Sequence, residues 1–158
     1  MQQGNQVFCG FEPVFDDNSK ILILGSFPSV KSREENFYYA NKQNRFWKIL
    51  AEFYNSEVTD IESKKRLCYG NNIALWDIVE SCQIKGSMDT DIKNCVLVDL
   101  SVILKKTRIT KILCNGTKSY ELTKSCYNGT VPVLKMPSTS PANVSFNKEI
   151  WFDNLRLD

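Results

Sequence analysis

The segment Ile21-Leu-Ile-Leu-Gly-Ser-Phe-Pro-Ser29 decides the fold class. Four consecutive branched apolar residues predict a short strand that is buried on both faces, as the strands of parallel sheets are. Gly25 ends the run and permits a close backbone approach or a positive φ angle. Phe27 then places an aromatic ring in the turn. The ring either covers the core or contacts a ligand, and the neighbouring residues leave both roles open.

Three further apolar runs, at residues 72–76, 111–114 and 131–136, alternate with helical patterns. Strands that alternate with helices at this spacing are joined by right-handed crossovers, which place helices on both faces of a mostly parallel sheet. We therefore predict an α/β fold with a central, mostly parallel four-stranded sheet.

Helices are indicated by apolar spacing and by capping patterns. One set of apolar residues recurs at helical spacing: Phe46, Trp47, Leu50 and Phe53. The sequence Thr59-Asp-Ile-Glu62 has the form of a capping box, which predicts a helix that begins there and ends at Gly70. Further helices are predicted over residues 100–106, 117–126 and 146–157.

The chain length of 158 residues fits a single domain that spans residues 1–158. Hydrophobic residues make up 42% and charged residues 24%, and no apolar stretch approaches the roughly 20 residues that cross a bilayer. The first ten residues lack the features of a secretory signal. These observations predict an intracellular protein, in the cytoplasm or nucleus, without membrane contact.

The residue types that usually carry metal and acid–base chemistry are sparse. Histidine is absent, which removes the commonest general base near pH 7 and the commonest metal ligand. The six cysteines include no C-x-x-C pair, so reduced thiols are predicted rather than a metal site. The net charge of +2 does not by itself indicate a nucleic-acid-binding protein.

Unusual loops follow the predicted strands at their carboxyl ends. Parallel sheets bind ligands at this edge. The first of these loops, at residues 25–29, offers a glycine and an aromatic ring, and Ser29 or Ser32 is able to open a helical turn. Asp77 and Asn115 follow the second and third strands; each either reads a ligand or serves in helix capping and turn formation. Residues 137–143, Pro-Ser-Thr-Ser-Pro-Ala-Asn, follow the fourth strand.

Aromatic and polar residues interleave in the segment Phe37-Tyr-Tyr-Ala-Asn-Lys-Gln-Asn-Arg-Phe-Trp47. This combination suits nucleic acid, because bases stack on aromatic rings while cations bind phosphates. Hydroxyl groups in residues 137–143 are able to contact phosphate oxygens, although a plain surface loop has the same composition. Asn44 has two candidate roles, an N-cap of the following helix and a ligand-contacting residue.

Taken together and in order, these segments resemble the uracil-DNA glycosylase superfamily. The resemblance is carried by residues 25–29, 37–39, 43–47, 74–77, 86–89 and 137–143. The chain resembles most the DNA-deoxyinosine (hypoxanthine-DNA) glycosylase branch, and Asn-Arg-Phe-Trp is also found in the mismatch-specific uracil glycosylases. The resemblance implies a three-layer α/β/α sandwich that removes a deaminated base from DNA without a metal or cofactor.

The resemblance also implies roles for individual residues. Asn44 corresponds to the catalytic asparagine of the deoxyinosine branch. The expected base-binding residues are Gly25, Ser26, Phe27, Asp77 and Asn115. The expected DNA-binding residues are Pro28, Ser29, Ser138, Thr139, Ser140 and Asn143. The chain departs from the branch at Ala40-Asn-Lys42, where Gly-His-Pro is common.

We expect a monomer whose partner is DNA that contains hypoxanthine, with uracil and xanthine as further candidate bases. Two other functions fit the sequence: a mismatch or uracil-DNA glycosylase, and a non-catalytic module that binds nucleic acid. A nucleotide-binding protein fits less well, because neither a G-x-x-x-x-G-K-[ST] nor a G-x-G-x-x-G loop is present.

Overall fold

The computed structural model describes residues 6–84 and 92–157. Segment 86–89, part of the resemblance, lies outside the described residues. The described part contains seven strands and six helices. In chain order they are β1 (Gln6–Cys9), β2 (Ile21–Gly25), α1 (Val30–Glu35), α2 (Phe46–Phe53), α3 (Ile61–Gly70), β3 (Ile73–Asp77), β4 (Val79–Ile84), β5 (Ile92–Leu97), α4 (Ser101–Leu104), β6 (Lys111–Asn115), α5 (Thr117–Cys126), β7 (Val133–Met136) and α6 (Lys148–Leu155).

The central sheet has four parallel strands in the order β3-β2-β6-β7. The predicted four-stranded parallel sheet is therefore confirmed. The second strand ends at Asp77, one residue later than predicted, because Gly25 pairs with Asp77. The fourth begins at Val133 instead of residue 131, after a proline that has no N–H to donate to a sheet.

Both faces of β2 are covered, and none of its four apolar side chains is exposed to solvent. Ile21 and Ile23 pack in a cluster with side chains from α2, α3 and α6. Leu22 and Leu24 belong to a second cluster, which includes side chains of α4 and α5. The sheet is thus the middle layer of three, and the α/β/α sandwich implied by the resemblance is confirmed.

A second sheet, which the sequence did not predict, joins β1, β4 and β5 in antiparallel order. Its strands were not recognised because polar residues interrupt them and the register shifts twice between β4 and β5. Cys82 of β4 contributes to the second apolar cluster. Val7 and Val96 remain 63% and 50% exposed, so this sheet covers the core only in part.

The predicted helices are present: α5 has the predicted bounds and α3 ends at Gly70 as predicted, while other helix ends differ. The predicted capping box at Thr59 and Glu62 is wrong by one position: Asp60 caps α3, and its side chain accepts from the Ser63 N–H. The serine hydroxyl returns a hydrogen bond, accepting from the Asp60 N–H. Helices α4 and α6 are shorter than predicted. None of the described helices has the length and apolar character needed to cross a membrane.

Replacing Ile23 with alanine is expected to lower the free energy of unfolding by about 2–5 kcal/mol, because the fully buried side chain would leave a cavity. Denaturant unfolding measures this loss. The matched control is Val144→Ala, which removes apolar atoms from a side chain that is 93% exposed and should change stability by less than about 0.5 kcal/mol. Equal effects of the two changes would contradict the central position of β2.

Candidate active site

A pocket of about 250 Å³ opens at the carboxyl edge of the parallel sheet. Its walls come from the loop after β2, the segment before α2, the ends of β3 and β6, and the loop after β7. All residues predicted for the site line it, except Asn143: Gly25, Ser26, Phe27, Pro28, Ser29, Asn44, Asp77, Asn115, Ser138, Thr139 and Ser140. Five chain segments far apart in sequence therefore meet where the topology places a ligand.

Asn143 lies outside the pocket and supports the loop instead. Its Nδ2 donates to the Ser138 carbonyl at 3.0 Å, and its Oδ1 accepts from the Ser145 N–H at 3.1 Å. Both ends of the side-chain amide are thus used within the loop, and DNA contact stays a prediction for this residue.

The loop after β2 is anchored at both ends. The carbonyls of Gly25 and Ser26 accept from the N–H groups of Ile78 and Val79 at 2.8 and 3.0 Å. At the other end, the Ser29 hydroxyl caps α1 by accepting from Ser32, as predicted for this serine. Because its two ends are held, the loop presents Phe27 in one position.

Phe27 is half-buried and has two kinds of contact. One part of the ring packs against the apolar cluster that contains Leu22 and Leu24. Phe27 also lines the pocket, and the Arg33 guanidinium lies 5.8 Å from its ring centroid. The ring therefore packs on the core and also lines the pocket, and contact with a ligand stays a prediction for Phe27.

Gly25 leaves space for two polar groups of residues that line the pocket, the Asp77 carboxyl and the Tyr39 hydroxyl. A Cβ atom on residue 25 would collide with Oδ1 of Asp77 and come within 2.9 Å of the Tyr39 hydroxyl. Glycine is required here because any side chain would occupy the space next to this carboxylate.

Asp77 is only 5% exposed, and its Oδ2 has no hydrogen-bond partner among the described residues. Burial raises the pKa of the carboxyl group to about 7, because the charged form loses its hydration. At neutral pH this group is therefore divided between a hydrogen-bond donor, the acid, and an acceptor, the carboxylate.

Tyr39 lines the pocket but was absent from the residues predicted for it. Its φ angle of 52° is left-handed, an unfavourable conformation for a bulky residue. This backbone turns the ring onto Phe46, with centroids 4.1 Å apart. Its buried hydroxyl also lacks a partner within the described chain. Burial, followed by the charge of Asp77, raises the pKa of this hydroxyl, while the Asn115 side chain opposes the shift.

Two indole groups hold the loops around the pocket. Trp47 Nε1 donates to the Tyr38 carbonyl at 3.0 Å, and Trp151 Nε1 donates to the Pro137 carbonyl at 2.8 Å. Both rings are buried. The segment before α2 and the loop after β7 are therefore both attached to side chains of the core.

Asn44 is hydrogen-bonded at the start of α2 and lies in the pocket wall, while contact with a ligand stays a prediction. Its Oδ1 accepts from the Phe46 N–H at 2.9 Å, which satisfies a free amide at the start of α2 although Arg45 occupies the formal N-cap position. Asn44 also lines the pocket. The bond fixes the plane of the side-chain amide, and Nδ2 donates to no described residue.

Arg45 and Asn115 hold the loop after β7. Arg45 donates its backbone N–H to the Thr139 carbonyl and its Nη1 to the Ser140 carbonyl, both at 3.0 Å. Asn115 Nδ2 donates to Thr139 Oγ1 at 2.9 Å, and Asn115 Oδ1 accepts from the Thr139 N–H at 3.0 Å. Thr139 is consequently fully buried. The contacts of Asn115 match the loop-forming alternative, and base reading stays a prediction for this residue.

The described residues contain no group of three or more His, Cys, Asp or Glu side chains arranged to hold a metal ion. The pocket instead offers amides, hydroxyls, aromatic rings and one carboxyl group. Such a lining is suited to recognising a flat polar ring through stacking and hydrogen bonds.

A model of the uracil DNA glycosylase superfamily matches residues 12–156, and the chain belongs to this superfamily. Among known proteins, it is 32% identical over 142 residues to a hypoxanthine DNA glycosylase of Methanosarcina acetivorans, with 88% of this chain and 90% of the relative covered. A hypoxanthine DNA glycosylase of Methanosarcina barkeri is 36% identical over 115 residues, covering 71% of this chain and 73% of the relative.

The fold is also similar to a solved structure. A solution NMR structure from Methanosarcina acetivorans, described as a candidate uracil DNA glycosylase, superposes with a TM-score of 0.80 at 30% identity. The similarity covers 94% of this chain and 96% of that structure. The family membership derived from the sequence segments is confirmed.

The change Asp77→Asn is expected to stabilise the protein in a pH-dependent manner. The pKa of Asp77 is raised to about 7 on folding. The stability that depends on the protonated carboxyl group is therefore fully present below about pH 4 and is lost as the pH rises through about 7. The stability of the variant relative to wild type should therefore increase over this interval, by at most about 4 kcal/mol. Denaturant unfolding at a series of pH values measures the difference.

The control for this measurement is Asp153→Asn, which changes an exposed carboxylate that pairs with Arg156 at 2.9 Å. Asp60 and Asp99, whose pKa values are lowered by hydrogen bonds from serine residues, are retained in both proteins and cancel from the difference. If the difference in stability between Asp77→Asn and wild type does not vary with pH, the ionisation of Asp77 does not contribute to the stability of the protein.

Proposed function

We propose that this protein is a monofunctional DNA glycosylase that rotates hypoxanthine out of DNA and hydrolyses its N-glycosidic bond in base excision repair. The observation that carries the proposal is the placement of Asn44 and Phe27 in one pocket, in a chain at least 32% identical to two hypoxanthine DNA glycosylases. Uracil and xanthine are further candidate substrates, and the protein is proposed to act as a monomer.

Base rotation is the first requirement, because the glycosidic bond is inaccessible within the duplex. Unstacking costs a few kcal/mol and is easiest for a mispaired or damaged base. Phe27 offers a ring on which the extruded base stacks, and such stacking contributes about 1–3 kcal/mol. The apolar cluster beneath the ring keeps it in place before the base arrives.

Binding to the DNA backbone positions the base over the pocket. Serine and threonine hydroxyls are suitable phosphate contacts, and Ser29, Ser138 and Ser140 line the pocket. Thr139 and Pro28 are buried and act by shaping these loops. Arg33, beside Phe27, adds a positive charge near the site.

Cleavage leaves the electron pair of the broken bond on the departing base and positive charge on the sugar. The N–H groups of Ser26 and Phe27 donate to no acceptor among the described residues, so they are available to the departing base, as in an oxyanion hole. The cation-like sugar is stabilised by the negatively charged DNA phosphates. An attacking water then needs accurate placement more than a strong base.

Asn44 supplies that placement. Its amide is neutral and is held by the Phe46 N–H, so the second lone pair of Oδ1 and the free Nδ2 group have fixed directions in the pocket. A water hydrogen-bonded to this amide would lie beside the sugar carbon. The helix-capping contact is therefore part of the catalytic arrangement, because it orients the amide.

The test of function is a single-turnover assay on oligonucleotides that carry hypoxanthine, uracil or xanthine, in single and double strands. The expected product is free hypoxanthine and an abasic site. Release of uracil without hypoxanthine would instead assign the protein to the uracil or mismatch enzymes. Binding to all oligonucleotides without an abasic product would assign it to non-catalytic nucleic-acid-binding modules.

Asn44→Ala is expected to reduce the single-turnover rate on inosine-containing DNA by about 100-fold or more, since the water loses its orienting group. The matched control is Asn147→Ala. Asn147 accepts from the Glu149 N–H at 3.0 Å in the same two-residue geometry, but it caps α6 outside the pocket. Both variants should lose about 1 kcal/mol of stability, while only Asn44→Ala loses activity. A folded and fully active Asn44→Ala protein would leave this residue a helix-capping role alone.

Phe27→Ala is expected to weaken binding of the rotated base by about 5-fold to 100-fold, because stacking is lost. The measurement is the affinity for DNA that contains a non-hydrolysable deoxyinosine analogue. Phe152→Ala is the control: this ring is also half-buried and lies 5.8 Å from a cation, Lys148, but it is outside the pocket. Similar loss of stability in both variants with unchanged DNA affinity would assign Phe27 to the core alone.

A further inference from the structure

Asp77 lines the pocket, and its carboxyl group combines deep burial with an oxygen that has no hydrogen-bond partner among the described residues. It belongs to the last residue of β3, and its Oδ1 lies against the Cα of Gly25. Within the described chain, its Oδ2 accepts and donates no hydrogen bond. A buried polar group without a partner is unfavourable for folding, which indicates that the group serves a ligand.

The groups around Asp77 supply no compensating positive charge. Tyr38 and Tyr39 of the segment before α2 line the pocket with it, and the other titratable groups near these tyrosines are Glu12 and Cys114. No lysine or arginine is found among the described residues that line the pocket. A carboxyl group in such surroundings retains its proton near neutral pH and acts as a donor.

Hypoxanthine offers an acceptor for this proton. Hypoxanthine has two ring nitrogens with free lone pairs besides the one in the glycosidic bond, N7 and N3, because its N1 carries a hydrogen. Protonation of either nitrogen makes the base a better leaving group, because the electron pair of the broken bond is then delocalised over a neutral ring. Uracil has no ring nitrogen of this kind.

We propose that Asp77 is a catalytic residue, the general acid that protonates N7 or N3 of the departing purine. This role rests on the proposed function and goes beyond contact with the base.

The step balances as follows in atoms and charge. The Oδ2 proton of Asp77 moves to the purine nitrogen, the bond between the sugar C1′ and N9 breaks, and its electron pair stays on N9. The water held by Asn44 bonds to C1′ and releases one proton to solvent. Solvent returns a proton to Asp77 before the next turnover, and the products are neutral hypoxanthine and an abasic sugar.

Single-turnover rates on inosine-containing DNA test the role of the carboxyl group. The wild-type rate should fall about tenfold per pH unit above a pKa of about 7, where the acid is lost. Asp77→Asn should be at least about 100-fold slower, with a rate that no longer varies over this pH range. Asp153→Asn, an exposed carboxyl on α6, should retain the wild-type rate and profile.

Substrates that lack one acceptor separate proton donation from simple binding. Oligonucleotides with 7-deaza-deoxyinosine or 3-deaza-deoxyinosine replace one ring nitrogen with carbon. On one of these two substrates, the wild-type rate should fall by about 100-fold relative to inosine. On that same substrate, Asp77→Asn should be less than about threefold slower than wild type, because the donor and its acceptor act as a unit. This non-additive result would support the general acid.

The proposal is overturned if Asp77→Asn slows inosine and both deaza substrates by the same factor, or leaves all rates unchanged. These outcomes are distinct from failure of the proposed function, in which wild-type protein releases no hypoxanthine at all. Since Asp77→Asn is expected to be more stable than wild type above about pH 7, unfolding does not account for a loss of activity in this variant.

Discussion

The complete burial of β2 is the constraint on which the rest of the structure depends. A strand that is apolar on both faces requires a covering layer on each side, and the crossovers that supply those layers make its neighbours parallel. Parallel strands end at the same edge of the sheet. The loops after β2, β3, β6 and β7 therefore converge on one place, and the pocket lies there.

The pocket keeps its shape because its loops are hydrogen-bonded to side chains of the core. Trp47 and Trp151 each donate to a loop carbonyl, and Arg45 donates twice to the loop after β7. A carbonyl held by a buried donor cannot move far without leaving that donor unsatisfied. These hydrogen bonds hold the segment before α2 and the loop after β7 in fixed positions relative to the core.

Asp77 is at the centre of the energetically unfavourable features of this structure. Its carboxyl group is buried without a cation, and Gly25 provides the space for it instead of filling that space. Tyr39 adds a left-handed backbone and a second unpartnered hydroxyl. These unfavourable features are concentrated within one pocket, whereas Ile21, Ile23 and the rest of β2 are fully buried without such conflicts.

The sequence by itself determined the fold class, the four parallel strands and most of the pocket lining. It could do so because apolar runs and helical periodicity are local signals, and because the carboxyl edge follows from the order of the elements. The antiparallel sheet was not predicted, since β4 and β5 are interrupted by polar residues and derive their stability from pairing with each other.

Only the tertiary structure decided the roles of individual polar side chains. Asn143 and Asn115 are alike in the sequence as loop asparagines, yet one lies outside the pocket and the other holds Thr139 within its wall. Tyr39 became a site residue through its φ angle and its contact with Phe46. Phe27, an ambiguous ring in a turn, was found to contact both core and pocket. Such roles depend on distances between residues far apart in the chain, which local patterns do not encode.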